Sequence, residues 1–539
     1  GTSVKLIRPL DFLVVADHAE YIGMWNGLRA SDPLILENEV GKRWHDWLTG
    51  GANDSKGGGA AKVNREMAMA AYTGGKTQLF KSDDFVRSVW EQNCEVADRM
   101  NNPGVFTALI GYEWTSMPGW DNLHRVLIFK DDADLAAQVL PFTQFDSYDP
   151  EDLWRYMAGY EETTGGNILA IPHNGNASNG LMFALETYTQ KPLTPAYAET
   201  RARWEPLFEI TQVKGDSEAH PALSPDDEFA DFRTWDSGNL LNKSMASGTK
   251  EARMLPHEYA RSALKLGLEQ ENKLGVNPFK FGVIGSTDGH SGLTTIEQDS
   301  FIGKRSVIES TPESPKKRSG GMWQWQQVAG GLAAVWSAEN TREGLFEAME
   351  RKETYATTGP RMTVRFFGGW DYTTDDAIHP DLARIGYTKG VPMGGDLTRA
   401  PDGKSPTFLI RAVKDPDGAN LDRIQVIKGW RDENGDLHEK VHNVALSDGR
   451  TLGAAVEPVG NTVDVENASY TNSIGDTELA VVWTDPDFDH AEKAFYYTRV
   501  LEIPTPRWTD LVKLGHKSTE ELPMSTVERA YTSPIWYTP

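Results

Sequence analysis

The chain has 539 residues, with 78 acidic against 54 basic and a net charge of −24. That balance excludes a nucleic-acid backbone as the expected partner, which would want a basic surface, and the length allows two or more domains. The single cysteine, Cys94, excludes an internal disulfide, and no apolar run reaches the ~20 residues of a membrane span.

Leu10–Ala16 reads as a strand buried on both faces, and it ends on Asp17-His18. Gly50–Ala60 is loop-like by composition, and Phe85–Met100 has apolar residues at helical spacing. Phe106–Tyr112 is a strand ending on Glu113, and His124 opens the strand His124–Phe129. Asp149-Pro150 starts a helix over Glu151–Glu161. Ile168–Pro172 is a strand ending on His173, and Leu207–Phe208 leads into Glu209. His257–Leu274 reads as a long helix. Phe281–Gly285 is a strand followed by Asp288 and His290. Ser314–Gly321 is a polar, Gly-rich loop, and Asn340–Lys352 a last helix. Strands alternating with helices predict βαβ units and a parallel sheet or barrel over residues 1–360.

After Gly359-Pro360 the pattern changes. Met362–Trp370, Thr407–Val413, Arg423–Trp430, Glu439–Ala445, Leu479–Trp483 and Phe495–Ile503 read as strands parted by turns. Residues 361–539 are therefore expected to form a β-rich, sandwich-like domain packed on the first, without helices beyond short pieces near Glu492. Asp485–Asp489 reads as a solvated acidic turn.

His18, Glu113, His124, His173, Asp288 and His290 thus stand at successive strand ends, where side chains distant in sequence converge on one face. Imidazoles with a few carboxylates suit Zn²⁺, Mn²⁺ or Fe²⁺, and a carboxylate can bridge two ions. Asp17 and His220 are candidate proton carriers. Arg125, Lys214 and Arg8 are candidate cations for an anionic substrate, and Asn174 a candidate hydrogen-bond donor to it. Tyr112, Trp114 and Trp120 could line an apolar or sugar-facing pocket around Glu113.

The order of these strand ends resembles the PHP superfamily, named for polymerase and histidinol phosphatase. The wording RPLDFLVVADHAEYIG, STDGHSG, ETYATTGPR, VRFFGGW and RAYTSPIWYTP is similar, nearly end to end, to the branch catalogued as domain of unknown function 3604. The resemblance implies a distorted (β/α)7 TIM-like barrel and a di- or trinuclear divalent-metal centre. It also implies hydrolysis of phosphate mono- or diesters by metal-bound hydroxide. It makes His18 a ligand, Glu113 the bridging carboxylate, His124 and His173 ligands of a second ion, and Asp288 and His290 the last motif. Glu20 and Asp17 become supporting or substrate-facing groups. It points to a periplasmic or secreted protein. The superfamily opens with a His-x-His strand that occurs nowhere in this sequence, so a missing or separate N-terminal piece is expected. Two alternatives remain open: a non-catalytic binding protein with a degraded site, and a hydrolase of sulfate or carboxylate esters.

Overall fold

The computed structural model describes residues 6–50, 58–72, 78–235, 238–240, 250–290, 292, 296, 298, 318–319, 322–327, 329–453, 456–507 and 523–539. Four strands, β1 (Phe12–Val14), β2 (Thr107–Trp114), β3 (Arg125–Phe129) and β4 (Ile168–Pro172), form a first sheet in that order. β1 runs parallel to β2, whereas β3 runs antiparallel to both its neighbours. β5 (Leu207–Gln212), β6 (Gly215–Asp216) and β7 (Gly282–Gly285) form a second sheet, with β5 parallel to β7. An isolated parallel bridge between His173 and Glu209 joins the two sheets.

Helices pack on both faces of these strands: Asp83–Met100 and Pro150–Thr164 on one, Arg342–Glu350 on the other. Asp83–Met100 begins where Ser82 Oγ accepts the Phe85 amide at 3.3 Å, with Asp83 and Asp84 at its positive end. It buries Phe85, Trp90 and Cys94. Pro150–Thr164 starts at the Asp149 cap, and Ala260–Leu274 ends on Gly275 in the left-handed region, the residue type that conformation favours.

This is not the expected (β/α)7 barrel. Among the described residues no sheet closes on itself, and β1 ends its sheet without an outer neighbour. A barrel of βα units needs parallel strands with every edge paired. The local reason lies between Trp114 and Arg125. A parallel return takes a crossover of a dozen or more residues, and this link holds only the short turn Pro118–Trp120, so β3 comes back antiparallel.

The later strands are β8 (Arg318–Ser319), β9 (Met322–Trp323), β10 (Leu332–Val335), β11 (Thr354–Thr357), β12 (Thr363–Gly369), β13 (Gly390–Pro392), β14 (Asp396–Thr398) and β15 (Thr407–Val413). β16 (Leu421–Arg431), β17 (Leu437–Leu446), β18 (Glu478–Thr484), β19 (Lys493–Glu502), β20 (Thr505–Pro506), β21 (Ser525–Thr526), β22 (Arg529–Thr532) and β23 (Ile535–Thr538) complete them. One sheet runs β10-β11-β22-β19-β16-β17, with β14 and β23 beside it, and a smaller one runs β13-β12-β15-β18. Phe366, Phe408 and Ile410 of the smaller sheet share a core with Val426, Tyr496 and Ile535 of the larger. The larger sheet spans residue 360, because β22 pairs with β11. A buried network ties the same halves together: Arg261 and Arg499 reach Asp227 at 2.8 and 2.7 Å, and Arg499 reaches Glu218 at 3.1 Å.

Other local expectations also change. Helices Thr374–Ala377 and Leu382–Lys389 stand where strands and turns were expected. The first is set by a reciprocal cap between Thr373 and Asp376, a Thr-x-x-Asp spacing present in the sequence. The second packs Gly386 against the Phe367 ring, where a β-carbon would come within 2.5 Å. Of the Gly50–Ala60 loop, residues 51–57 lie outside the described residues, and Gly58 already opens the helix Gly58–Tyr72. Of Ser314–Gly321, only Arg318 and Ser319 are described, as β8.

Candidate metal centre

Strand alternation puts Tyr112 and Trp114 of β2 into the core behind it and turns Glu113 the other way. An isolated parallel bridge sets His18 beside Glu113, fixed by the Glu113 amide on Asp17 O at 2.8 Å and the Ala19 amide on Glu113 O at 2.9 Å. His124 immediately precedes β3, its amide held by Asn122 Oδ1 at 3.1 Å. His173 leaves the end of β4, and Asp288 and His290 follow β7. Asn174 and Asp288 both take the left-handed backbone, at φ 52° and 49°. That conformation is costly outside glycine and is found often at ligand sites.

These residues meet at one end of a cleft of about 1770 Å³, whose walls include β1 and β10. Glu113, His124 and His173 are buried and offer three ligand atoms within 4.8 Å of one another. Glu113 Oε1 lies 2.9 Å from His124 Nδ1 and 3.2 Å from His18 Nδ1, and Oε2 lies 3.8 Å from His173 Nε2. Thr115 Oγ1 donates to Glu113 Oε1 at 3.0 Å and contacts His18 Nδ1 at 2.6 Å. On the other side, His18 Nε2 and His290 Nε2 are 3.4 Å apart.

The donor set fits a divalent ion in two respects. Buried polar atoms are normally paired, yet Nε2 of His124 and Nδ1 of His173 make no hydrogen bond. A metal ligand must also be deprotonated. Burial would raise the Glu113 carboxyl, but the adjacent His18 and His124 hold it well below the usual carboxylate range. Burial lowers His124 despite Glu113, and pushes His173 down to about 3. At neutral pH the site therefore already presents a carboxylate and two neutral imidazoles, a set suited to Zn²⁺, Mn²⁺ or Fe²⁺.

The remaining expected residues divide. Asp17 lines the cleft mouth. Glu20 is buried, accepting the Gln144 amide at 2.7 Å and the Thr115 amide at 3.2 Å, so it braces the Thr115 turn. Lys214 and Asn174 are within the site, bound to each other at 2.8 Å. Arg125 is not: it is 1% exposed and paired with Glu205 at 3.0 Å. His220 is buried against Tyr259 and accepts the Ala222 amide at 3.0 Å, outside the cleft lining. Arg8 lines the cleft but is paired with Asp415 and Asp417. Of the three aromatics, only Trp120 reaches the cleft.

Sequence reasoning gave no role to Thr115 or Gln212, and read Glu209 only as a strand-end residue able to bind a metal. Glu209 lines the cleft and is 4% exposed; Ser286 Oγ donates to its Oε2 at 2.6 Å, its Oε1 is unpartnered, and burial pushes it up to about 8. It stands third of the six residues of β5 rather than at the strand's end. Thr115 and Gln212 carry no signal in residue type. A second cluster, His442, Asp485 and Asp487, lies in the later strands. Asp485 is buried rather than solvated, held by Lys428 at 2.7 Å and Tyr496 Oη at 2.8 Å, and Lys440 pairs with Asp487. Both carboxylates already have their cations.

A family model described as "Protein of unknown function (DUF3604)" matches residues 1–539. The chain belongs to that family. No curated protein matches it. The DUF3604 match covers the whole chain and therefore every strand that lines the cleft.

Proposed function

We propose that this DUF3604 protein is a metal-dependent hydrolase of phosphate mono- or diesters, related in its ligand order to the PHP superfamily. The observation that carries the reading is the buried Glu113–His124–His173 set, whose ligand atoms converge within 4.8 Å while His124 Nε2 and His173 Nδ1 make no hydrogen bond. An ion held there would supply a Lewis acid and the means to ionise water at neutral pH. Glu113 carries the balancing charge. Thr115 fixes its Oε1, and Glu20 fixes Thr115 through its amide. Asp17, at the cleft mouth, is the group placed to exchange protons with solvent.

Of the cations expected to meet phosphate, Arg125 is sequestered by Glu205, Arg8 by two aspartates and Lys214 by Asp288. Selection of an anionic ester would therefore fall to the bound ions. Purified protein loaded with Mn²⁺ or Zn²⁺ should turn over phosphate esters in a panel that includes sulfate and carboxylate esters. His173→Ala should lose both the ion and the turnover while circular dichroism stays unchanged. Retained turnover in that variant overturns the assignment, and preference for another ester overturns the substrate class.

A further inference from the structure

Away from the metal cleft, two buried arginines share one carboxylate. The Arg233 side chain is 5% exposed and Arg507 is 4% exposed, and neither lines the cleft. Arg233 Nη2 donates to Glu528 Oε1 at 2.9 Å and to Thr526 Oγ1 at 2.6 Å. Arg507 Nη2 donates only to main-chain carbonyls, Trp325 O at 2.5 Å and Gln327 O at 3.1 Å. Among the described residues the acid acting on Arg507 is Glu528. That carboxylate is already in use: besides Arg233 it accepts from Gln298 Nε2 at 2.7 Å and from Thr358 Oγ1.

Strand pairing brings the two guanidinium groups to one face. Thr505 of β20 pairs with Thr526 of β21, and the Arg507 amide bonds Met524 O at 3.1 Å. Residues 505 and 507 therefore share a face with 524 and 526. Arg507 is the diagonal neighbour of Thr526, the residue that Arg233 holds. Burial, and then Arg233, push Arg507 down to about 9 against the pull of Glu528. Both guanidinium groups are still charged at neutral pH. Two positive charges thus face one negative charge, and a buried charge is normally paired. Three donors are also left over: Arg233 Nε, Arg233 Nη1 and Arg507 Nε are buried without a hydrogen bond.

We propose that Arg233 and Arg507 form a buried site for a small inorganic oxyanion, phosphate or an ion like it, separate from the metal centre. Guanidinium groups offer planar N–H donors that match the oxygens of such an ion. Burial of both side chains admits the free ion and shuts out an organic ester. Arg233 comes from the chain after β6 and Arg507 from the chain after β20, so the ion joins the two halves of the protein.

The test is anion binding by the chelator-treated full chain at constant ionic strength, read by calorimetry and thermal unfolding. Phosphate is compared with chloride, and phenyl phosphate is the organic ester. Wild type should bind one phosphate per chain and unfold at a higher temperature as phosphate rises, with no response to phenyl phosphate. Arg507→Met should weaken phosphate binding at least about tenfold and lose the thermal response. Arg253→Met, at an exposed arginine, should behave as wild type and so controls for general salt effects. Arg507→Lys, which keeps the charge and loses the fork, serves if the methionine variant does not fold. No phosphate binding in wild type overturns the proposal, because water alone then meets these donors. So does binding that persists in Arg507→Met, or that disappears in His173→Ala, which places the ion at the metal centre. Phenyl phosphate binding as tightly as phosphate overturns it too. The metal count of the same protein is measured apart from this, so either site can fail alone.

Discussion

Replacing Glu209 by glutamine isolates the cost of burying a carboxylate in this site. Burial pushes Glu209 up to about 8 from 4.5, against the Ser286 hydrogen bond that lowers it and with Asp288 raising it further. Below about pH 4.5 the group is protonated in both folded and unfolded chains and costs nothing. Between about 4.5 and 8 the unfolded chain releases the proton and the fold keeps it. The unfolded state then binds fewer protons, and stability falls as pH rises, by about 1.4 kcal/mol per unit. The penalty is about 1.4 kcal/mol at pH 5.5 and about 5 kcal/mol at pH 8.5. Glutamine cannot ionise, and its carbonyl can still accept from Ser286 Oγ. Glu209→Gln should therefore stabilise the chelator-treated protein by about 3 kcal/mol more at pH 8.5 than at pH 5.5. Urea unfolding followed by tryptophan fluorescence at the two pH values measures this. The difference between them cancels whatever the amide does to packing. Equal effects at both pH values would refute the reasoning, because they would place the Glu209 pKa near its ordinary value.

His173 behaves oppositely: with its folded pKa lowered to about 3 from 6.5, it leaves stability intact above about pH 6.5 and erodes it by about 1.4 kcal/mol per unit as pH falls toward 3. The chelated wild type should lose this increment between pH 7 and 4.5 and His173→Ala should not; parallel profiles contradict the assignment. Arg125→Met leaves Glu205 only Arg201, at 3.1 Å, and should cost less than the about 3–5 kcal/mol of a buried pair broken outright, with KM unchanged for any substrate found; a raised KM would return Arg125 to the substrate site. Thr115→Val removes the contacts to Glu113 and His18 and should weaken metal affinity about 10–100-fold in chelator competition; undiminished affinity denies Thr115 an orienting role.

The strands that carry the site were legible because each is a short apolar run cut off by a charged or imidazole side chain. Ile168–Pro172 and Thr407–Val413 match the structure residue for residue. Their directions were not legible. Apolar runs report burial, whereas parallel or antiparallel pairing depends on the link between them, and the turn around Pro118–Trp120 decided β3. Side-chain availability was hidden for the same kind of reason. Arg125 follows His124 directly, yet alternation sends it to the opposite face, where Glu205 waits. The helix Leu382–Lys389 is held by packing on Phe367, a partner distant in sequence. The closing residues 529–539 were readable as a motif but not as β22 and β23, whose partners β11 and β19 come from both halves of the chain.

The charge arrangement gives the candidate site its logic. Glu113, Glu209 and Asp288 crowd one buried mouth, and the chain answers them unevenly. Asp288 has Lys214, and Glu209 keeps its proton because burial, with Asp288 and Glu113 beside it, outweighs the Ser286 hydrogen bond and the Lys214 charge. Glu113 alone is held ionised, by imidazoles. An imidazole that has lost its own proton to burial, as His173 and His124 have, brings Glu113 no full positive charge. The Glu113 corner is thus the place where a buried negative charge leans on His18, raised by Glu113 against the effect of burial, and where the nitrogens of His124 and His173 converge. A dication resolves both conditions at once. The same bookkeeping makes the Lys214 side the weaker place for an ion, since its negative charge is already matched.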